Sequence, residues 1–281
     1  MAIDKNDLAL LQKSKKNLSA TDLSEANLEG IDFSYGNFIS TIFKEAYLKN
    51  ANFISAKLDS ADFSKTNLIG SDFSNAKLFK AVFFQAKLME SKFIEADLMG
   101  ANLSSSDLTE ADLSRCSLVE ANLIGSNLTR ANLKDAKLTG RFTREGYFSR
   151  GANLTRCILK GVNLRQANCH GADIVDADLR EANLSNANLI EADLKRANLS
   201  KANLIGAKLS EANLRKATLT GADFKDVGLL ETKLTGVDLS QVVNLSPKEL
   251  NLAIIDDKTK IPDYLEINWT SDETFECKAR R

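Results

Sequence analysis

Leucine or phenylalanine returns at every fifth residue from Leu18 to Leu138, and the same spacing resumes from Leu154 to Leu239, with Cys169 and Ile174 as exceptions. A period of five belongs to neither regular element. Five helical steps of about 100° do not return to one face, so a helix would smear these side chains around its circumference. A long strand would send them alternately in and out. A square coil with one five-residue unit per side points every one of them inward. The residue two positions earlier also points inward and has to be small, as Ala26, Ala46, Ala51, Ala56 and Ala61 are, because close packing leaves no room for more. Asp or Asn between the two suits corner hydrogen bonding. Gly30, Gly70, Gly100, Gly125 and Gly140 share the fifth slot, where a turn can demand positive φ.

Units such as ATDLS and EANLE near the start, and EANLS, NANLI, EADLK, RANLS and KANLI near residue 190, follow one another without spacers. This A(D/N)LXX pattern resembles the pentapeptide-repeat family over roughly four-fifths of the chain. The resemblance implies an all-β fold, a right-handed quadrilateral parallel β-helix with four pentapeptides per coil. The general rule for parallel crossovers favours the same hand. About eleven coils at roughly 4.8 Å each make a rod of about 50 Å.

The expected organisation has three parts: an N-terminal helical cap at 1–16, the repeat at 17–242, and a C-terminal capping helix and tail at 243–281. In the first, Leu8 and Leu11 lie on one side of a short helix over 4–14 that Asp4 caps. In the last, Ser246-Pro247-Lys248-Glu249 is a helix start with Leu250, Ala253 and Ile254 on its apolar side. Tyr264, Leu265, Ile267 and Trp269 are expected to pack on this cap or serve a partner, and the final residues to be mobile. Covers are expected because an open coil presents unpaired strand groups.

Within the first run Phe33, Phe53, Phe73 and Phe93 are expected to stack on one face and Phe43, Phe63 and Phe83 on the opposite face. Between Leu138 and Leu154 the register slips, which marks a loop at 139–151 carrying Arg141, Arg144, Tyr147 and Arg150. Irregular loops on rigid scaffolds often carry function.

Catalytic patterns are missing from the sequence. His170 is the one histidine, so neither a metal cluster nor a His-dependent nucleophile can be assembled. No phosphate-cradling glycine motif occurs. No cofactor or metal is expected, and the chain is expected not to be an enzyme. Cys116, Cys157, Cys169 and Cys277 form no CxxC, and Cys116 and Cys157 are expected on one face two coils apart, near 10 Å. Reduced structural thiols suit a reducing compartment. Met1 to Lys16 lacks a signal-peptide core and no stretch reaches about 18 apolar residues, so the cytoplasm is the expected location, with no membrane contact.

A net charge of −1 provides no field for nucleic acid. The outward slots say more. Phe79, Phe84, Met89, Ile94 and Met99 follow successive central residues and make an apolar belt, with Ile39 and Val119 on the face of Phe79 and Met99. Lys195, Arg196, Arg215 and Lys216 share one face, with Glu191, Glu211 and Glu231 near its adjoining edge. The expected role is a rigid, non-enzymatic interaction module or regulator that docks a protein partner. It is expected to act as a monomer or as a homodimer through an end cap. The resemblance admits a second role, a DNA mimic that binds a type II topoisomerase such as gyrase. The near-neutral charge speaks against it, since that mechanism wants a large acidic surface.

Overall fold

The structure, a computed structural model, describes residues 17–141, 149–271 and 274–280. The expected helix over 4–14 lies outside these residues.

A regular coil takes twenty residues. The residue before the central Leu or Phe forms a parallel bridge with its counterpart twenty positions later, as Asp22 does with Ile42 and Asn27 with Tyr47, four times per turn. The result is a mostly-β repeat solenoid with four sides, called here the first (Leu18, Phe38, Leu58), second (Leu23, Phe43, Phe63), third (Leu28, Leu48, Leu68) and fourth (Phe33, Phe53, Phe73) faces.

The backbone makes this shape by bonding between coils. The Phe43 amide donates to the Asp62 carbonyl at 2.7 Å, the Glu45 amide to Ser64 at 3.0 Å, and the Asp62 amide to Thr41 at 2.9 Å. Although Gly140, where the chain leaves for the loop, does not take the positive φ expected of it, the fifth residue of most units then turns the corner in the left-handed region. Glycine is not needed for this. Glu45, Ser55, Lys65 and many other corner residues hold φ near +56 to +60°, a conformation that costs an L residue roughly 1–2 kcal/mol and persists where the surroundings over-determine it. Asp or Asn helps at the same corner. The Asp72 carboxylate accepts the Ser74 amide at 2.9 Å, and Asn132 donates to Asp112 one coil below at 3.0 Å.

The core fills as the spacing requires. Central Leu and Phe and the small residues two positions earlier are buried throughout. Where Ser or Thr takes the small slot, its hydroxyl finds a carbonyl, Thr66 to Phe43 at 2.8 Å and Ser71 to Leu48 at 2.9 Å. The phenylalanines form the two expected columns, stacked except at Phe33, which is tilted against Phe53 at 5.6 Å. Phe53–Phe73 and Phe73–Phe93 are parallel at 4.8 and 4.9 Å, as are Phe43–Phe63 and Phe63–Phe83.

Three features depart from the sequence expectations. The bridge spacing rises from 20 (Asn102 to Asn122) to 31 (Asn122 to Asn153), so the loop after Leu138 adds eleven residues. That shift puts Cys157 on the column of Asn127 and Cys116 on the column of Lys137, so the two thiols do not share a face. The parallel ladder also runs past residue 242, with bridges Lys233–Ile254 and Asp238–Lys260. Ile254 is therefore an exposed rung residue rather than part of a helix's apolar side, and Ile255 is the buried one. Finally, helix α1 is only Pro247–Leu250, with Ser246 accepting the Glu249 amide at 3.2 Å. Strands β1 (Leu265–Trp269) and β2 (Phe275–Ala279) pair as an antiparallel hairpin. Asn251 latches it to α1, donating to the Cys277 carbonyl at 3.1 Å and accepting its amide at 2.6 Å. Leu265 and Cys277 are buried by this docking, whereas Tyr264 and Trp269 stay exposed.

Candidate docking surface

Two side chains per unit point out from each face, and the corner residue adds a third. The first face carries the slot after the central residue as a column, in which Phe79, Met99 and Val119 occupy successive rungs. Ile39 lies two rungs from Phe79, with Asp59 between them; the Asp59 carboxylate accepts the Phe79 amide at 3.2 Å. Phe84 stands around the corner on the second face beside Val82, Met89 on the third and Ile94 on the fourth. The Lys80 ammonium at that corner lies 5.1 Å from the Phe79 ring centre. Ile39 and Phe84 are exposed, while Phe79, Met89, Ile94, Met99 and Val119 are half-buried.

Sequence reasoning passed over other exposed apolar side chains. Tyr35, the most exposed at 77%, sits at a corner, and Ile42 and Tyr47 take the slot that Asp or Asn fills elsewhere. In the two regular runs the hydrophobic residues that replace Asp or Asn before a central residue are Ile42, Tyr47, Val82 and Ile158.

The root of the loop is tied to the rod. Glu120 accepts from Arg141 Nε at 3.1 Å and from the Ser149 hydroxyl at 2.5 Å, and Arg150 pairs with Asp173 at 3.0 Å. Arg144 and Tyr147 lie outside the described residues.

Charged side chains pair along the rod axis, a pattern the spacing of twenty generates and the sequence reading missed. Lys65–Glu45, Arg115–Glu95 and Arg196–Asp176 are such pairs, at 3.4, 3.1 and 2.5 Å. Arg130–Glu110 is another. Exposed pairs of this kind contribute little individually. Arg196 nonetheless holds the Asp176 carboxyl below its ordinary range, and Arg180 does the same to Asp178.

Little reactive chemistry is available. Burial pushes the Cys157 thiol up to about 11, that of Cys169 to about 12, and that of Cys116 further still, so these groups stay protonated near neutrality. His170 lies 3.5 Å from Glu191. Among the described residues no group of three His, Cys, Asp or Glu side chains could hold a metal ion, and no helix is long and apolar enough to cross a membrane.

The description of the pentapeptide repeats matches the chain in eight copies, over residues 17–50, 46–83, 68–104, 106–140, 150–180, 177–215 and 202–241. The chain belongs to the pentapeptide repeat family. Among solved pentapeptide repeat structures it is similar to HetL, involved in heterocyst differentiation regulation, from the cyanobacterium Nostoc sp. strain PCC 7120. That match has 29% identity and a TM-score of 0.31, covering 82% of this chain and 96% of HetL. Full-length QnrB1, a plasmid-mediated fluoroquinolone resistance protein, matches at 19% identity and a TM-score of 0.28, over 85% of this chain and 92% of its own. A pentapeptide repeat protein of the Arabidopsis thaliana thylakoid lumen matches at 30% identity and a TM-score of 0.22, over 47% of this chain and 68% of its own. No curated protein sequence matches this pentapeptide repeat protein.

Proposed function

We propose that this pentapeptide repeat protein is a non-enzymatic interaction module, a right-handed rod capped at both ends that docks a protein partner in the cytoplasm. The carrying observation is the Phe79–Met99–Val119 column, continued around the Lys80 corner by Phe84 and Val82 on a rigid backbone. Contiguous apolar surface on a soluble scaffold marks interaction sites. The buried, protonated thiols fit a reducing compartment. The tied root of the 139–151 loop makes Arg141 and Arg150 supports of that loop, with Arg144 and Tyr147 a second contact region. A topoisomerase-binding DNA mimic is supported less well, because among the described residues Lys65, Arg115 and Arg130 pair with and offset Glu45, Glu95 and Glu110, and the net charge is −1.

Affinity capture with the full chain from its native lysate tests the reading, comparing wild type with Phe79→Ser/Phe84→Ser/Met99→Ser after both are shown to melt cooperatively. A protein held by wild type and lost by the variant supports docking through the belt. Capture of topoisomerase subunits would move the DNA-mimic reading ahead. Identical captures by both baits would remove the belt as the docking surface.

A further inference from the structure

Two successive rungs of the second face in the C-terminal half share one charge order. One rung reads Glu191 at the corner, Asp193 and Lys195 pointing out, and Arg196 at the next corner. The next reads Glu211, Asn213, Arg215 and Lys216, with Asn213 bridged to Asp193. Across these two rungs one edge is thus acidic and the other basic, with Asp176 preceding Arg196 on the basic edge, and all eight side chains are exposed or half-buried. Glu191 sits near His170 and Arg196 near Asp176, but Glu211, Lys195, Arg215 and Lys216 form no ion pair within the chain among the described residues.

We infer that this face binds a second copy of the chain, side by side and parallel. The argument is one of symmetry. Two copies of a flat face can meet through a two-fold axis that runs either along the rod or across it. An axis across the rods reverses one of them and sets acidic edge against acidic edge and basic against basic. An axis along the rods keeps every rung at its own height and exchanges the edges. Glu191 then meets Arg196 of the other copy, Asp193 meets Lys195, and Glu211 meets Lys216, each twice because the contact is isologous. Only the parallel arrangement is self-complementary, and like-charge juxtaposition penalises the other. The five-residue repeat produces this, because acid and base one unit apart lie on opposite edges at one height. Two charged rungs cover far less than the roughly 800 Å² per partner of a standard interface, so the contact is weak and reversible. Its strength comes from charge, so salt dissolves it. The two charged rungs share the second face with Phe84 but begin five rungs from it toward the C-terminal end, and the inference does not depend on the belt docking a partner.

Sedimentation velocity of the full chain, at roughly 20 mM and about 500 mM salt, tests it. The expected result is a monomer–dimer equilibrium at low salt whose apparent Kd rises at least about tenfold at high salt. Glu211→Lys is expected to weaken it by about tenfold or more, and Glu211→Lys/Lys216→Glu, which exchanges the edges, to restore it. Neither substitution breaks an ion pair of the monomer. Val175→Cys, in the outward slot one rung before Lys195, should cross-link to itself across the two-fold axis with a short bismaleimide. A chain that stays monomeric at low salt overturns the inference. So does a dimer insensitive to salt and to Glu211→Lys, or one in which residue 175 of one copy cross-links to residue 235 of the other.

Discussion

The Ala152 amide donates to the Leu138 carbonyl at 2.7 Å, the bond that Thr41 makes to Phe38 at 3.1 Å where no loop intervenes. Ala152 therefore occupies the small slot that position 141 would hold in an uninterrupted repeat. Removal of residues 141–151 joins Gly140 to Ala152 and should leave every later rung in place. Thermal unfolding is expected within a few degrees of wild type, since shortening a loop changes closure entropy only slightly. Removal of 141–150, two whole units, puts Gly151 in the small slot and turns the following leucine column outward. That variant should fail to fold cooperatively by circular dichroism. Equal melting of the two deletions would refute the assigned register.

Leu204 is fully buried in the fourth column, whereas Ser200 points outward on the third face and is half-buried. Leu204→Lys is expected to cost several kcal/mol, about 3 or more, by placing an unpaired charge in the core. Ser200→Lys should stay within about 1 kcal/mol. Chemical denaturation midpoints measure both.

Phe63 lies between Phe43 and Phe83 at 4.8 and 4.9 Å and meets Phe53 and Phe73 edge-on at 5.6 Å. Phe63→Ala should cost about 3–5 kcal/mol by opening a cavity between four rings. Phe63→Leu should cost less, since the same column continues as Leu103 and Leu123 further along the rod. A loss from Phe63→Ala below about 1 kcal/mol would mean the stacks do not bear on stability.

Arg196 and Arg180 hold the Asp176 and Asp178 carboxyls below their ordinary range. Groups depressed in the folded state stabilise it above the unfolded value, near pH 4, and lose that contribution as pH falls through their folded values. The difference in melting temperature between wild type and Asp178→Asn should be largest above about pH 4 and shrink below it. Because both carboxylates are half-buried and still reached by solvent, the effect is small and salt should reduce it further. A difference that grows on acidification contradicts the assignment.

How far the sequence could be read follows from what sets each feature. Inward columns such as Phe33–Phe53–Phe73 were legible because burial constrains side-chain size at a strict period. The length of the loop was not, because one, six or eleven extra residues between Leu138 and Leu154 leave the same remainder on division by five, and only backbone pairing across it decides. The Cys116 and Cys157 placement failed for that reason. The rungs at Ile254 and Lys260 were hidden because α1 and its flanks break the spacing. The hairpin of Leu265–Trp269 and Phe275–Ala279 is held by backbone pairing and by Asn251, a residue with no distinguishing context in the sequence. Among the outward residues, Phe79, Met99 and Val119 could be placed together from spacing, whereas the half-burial that mutes them depends on neighbours one rung away. Positive φ at Glu45 or Lys65 could not be read from residue type, since the inter-coil bonds impose it.

That last point reaches beyond folding. A corner residue such as Glu45, Lys65 or Glu211 keeps its place through its amide, and its side chain lies outside the core. The rod's exterior is therefore written independently of its interior, like the teeth of a key cut on an unvarying blank. Descendants of such a chain can exchange charges at fixed heights and change what they recognise while inheriting the same skeleton.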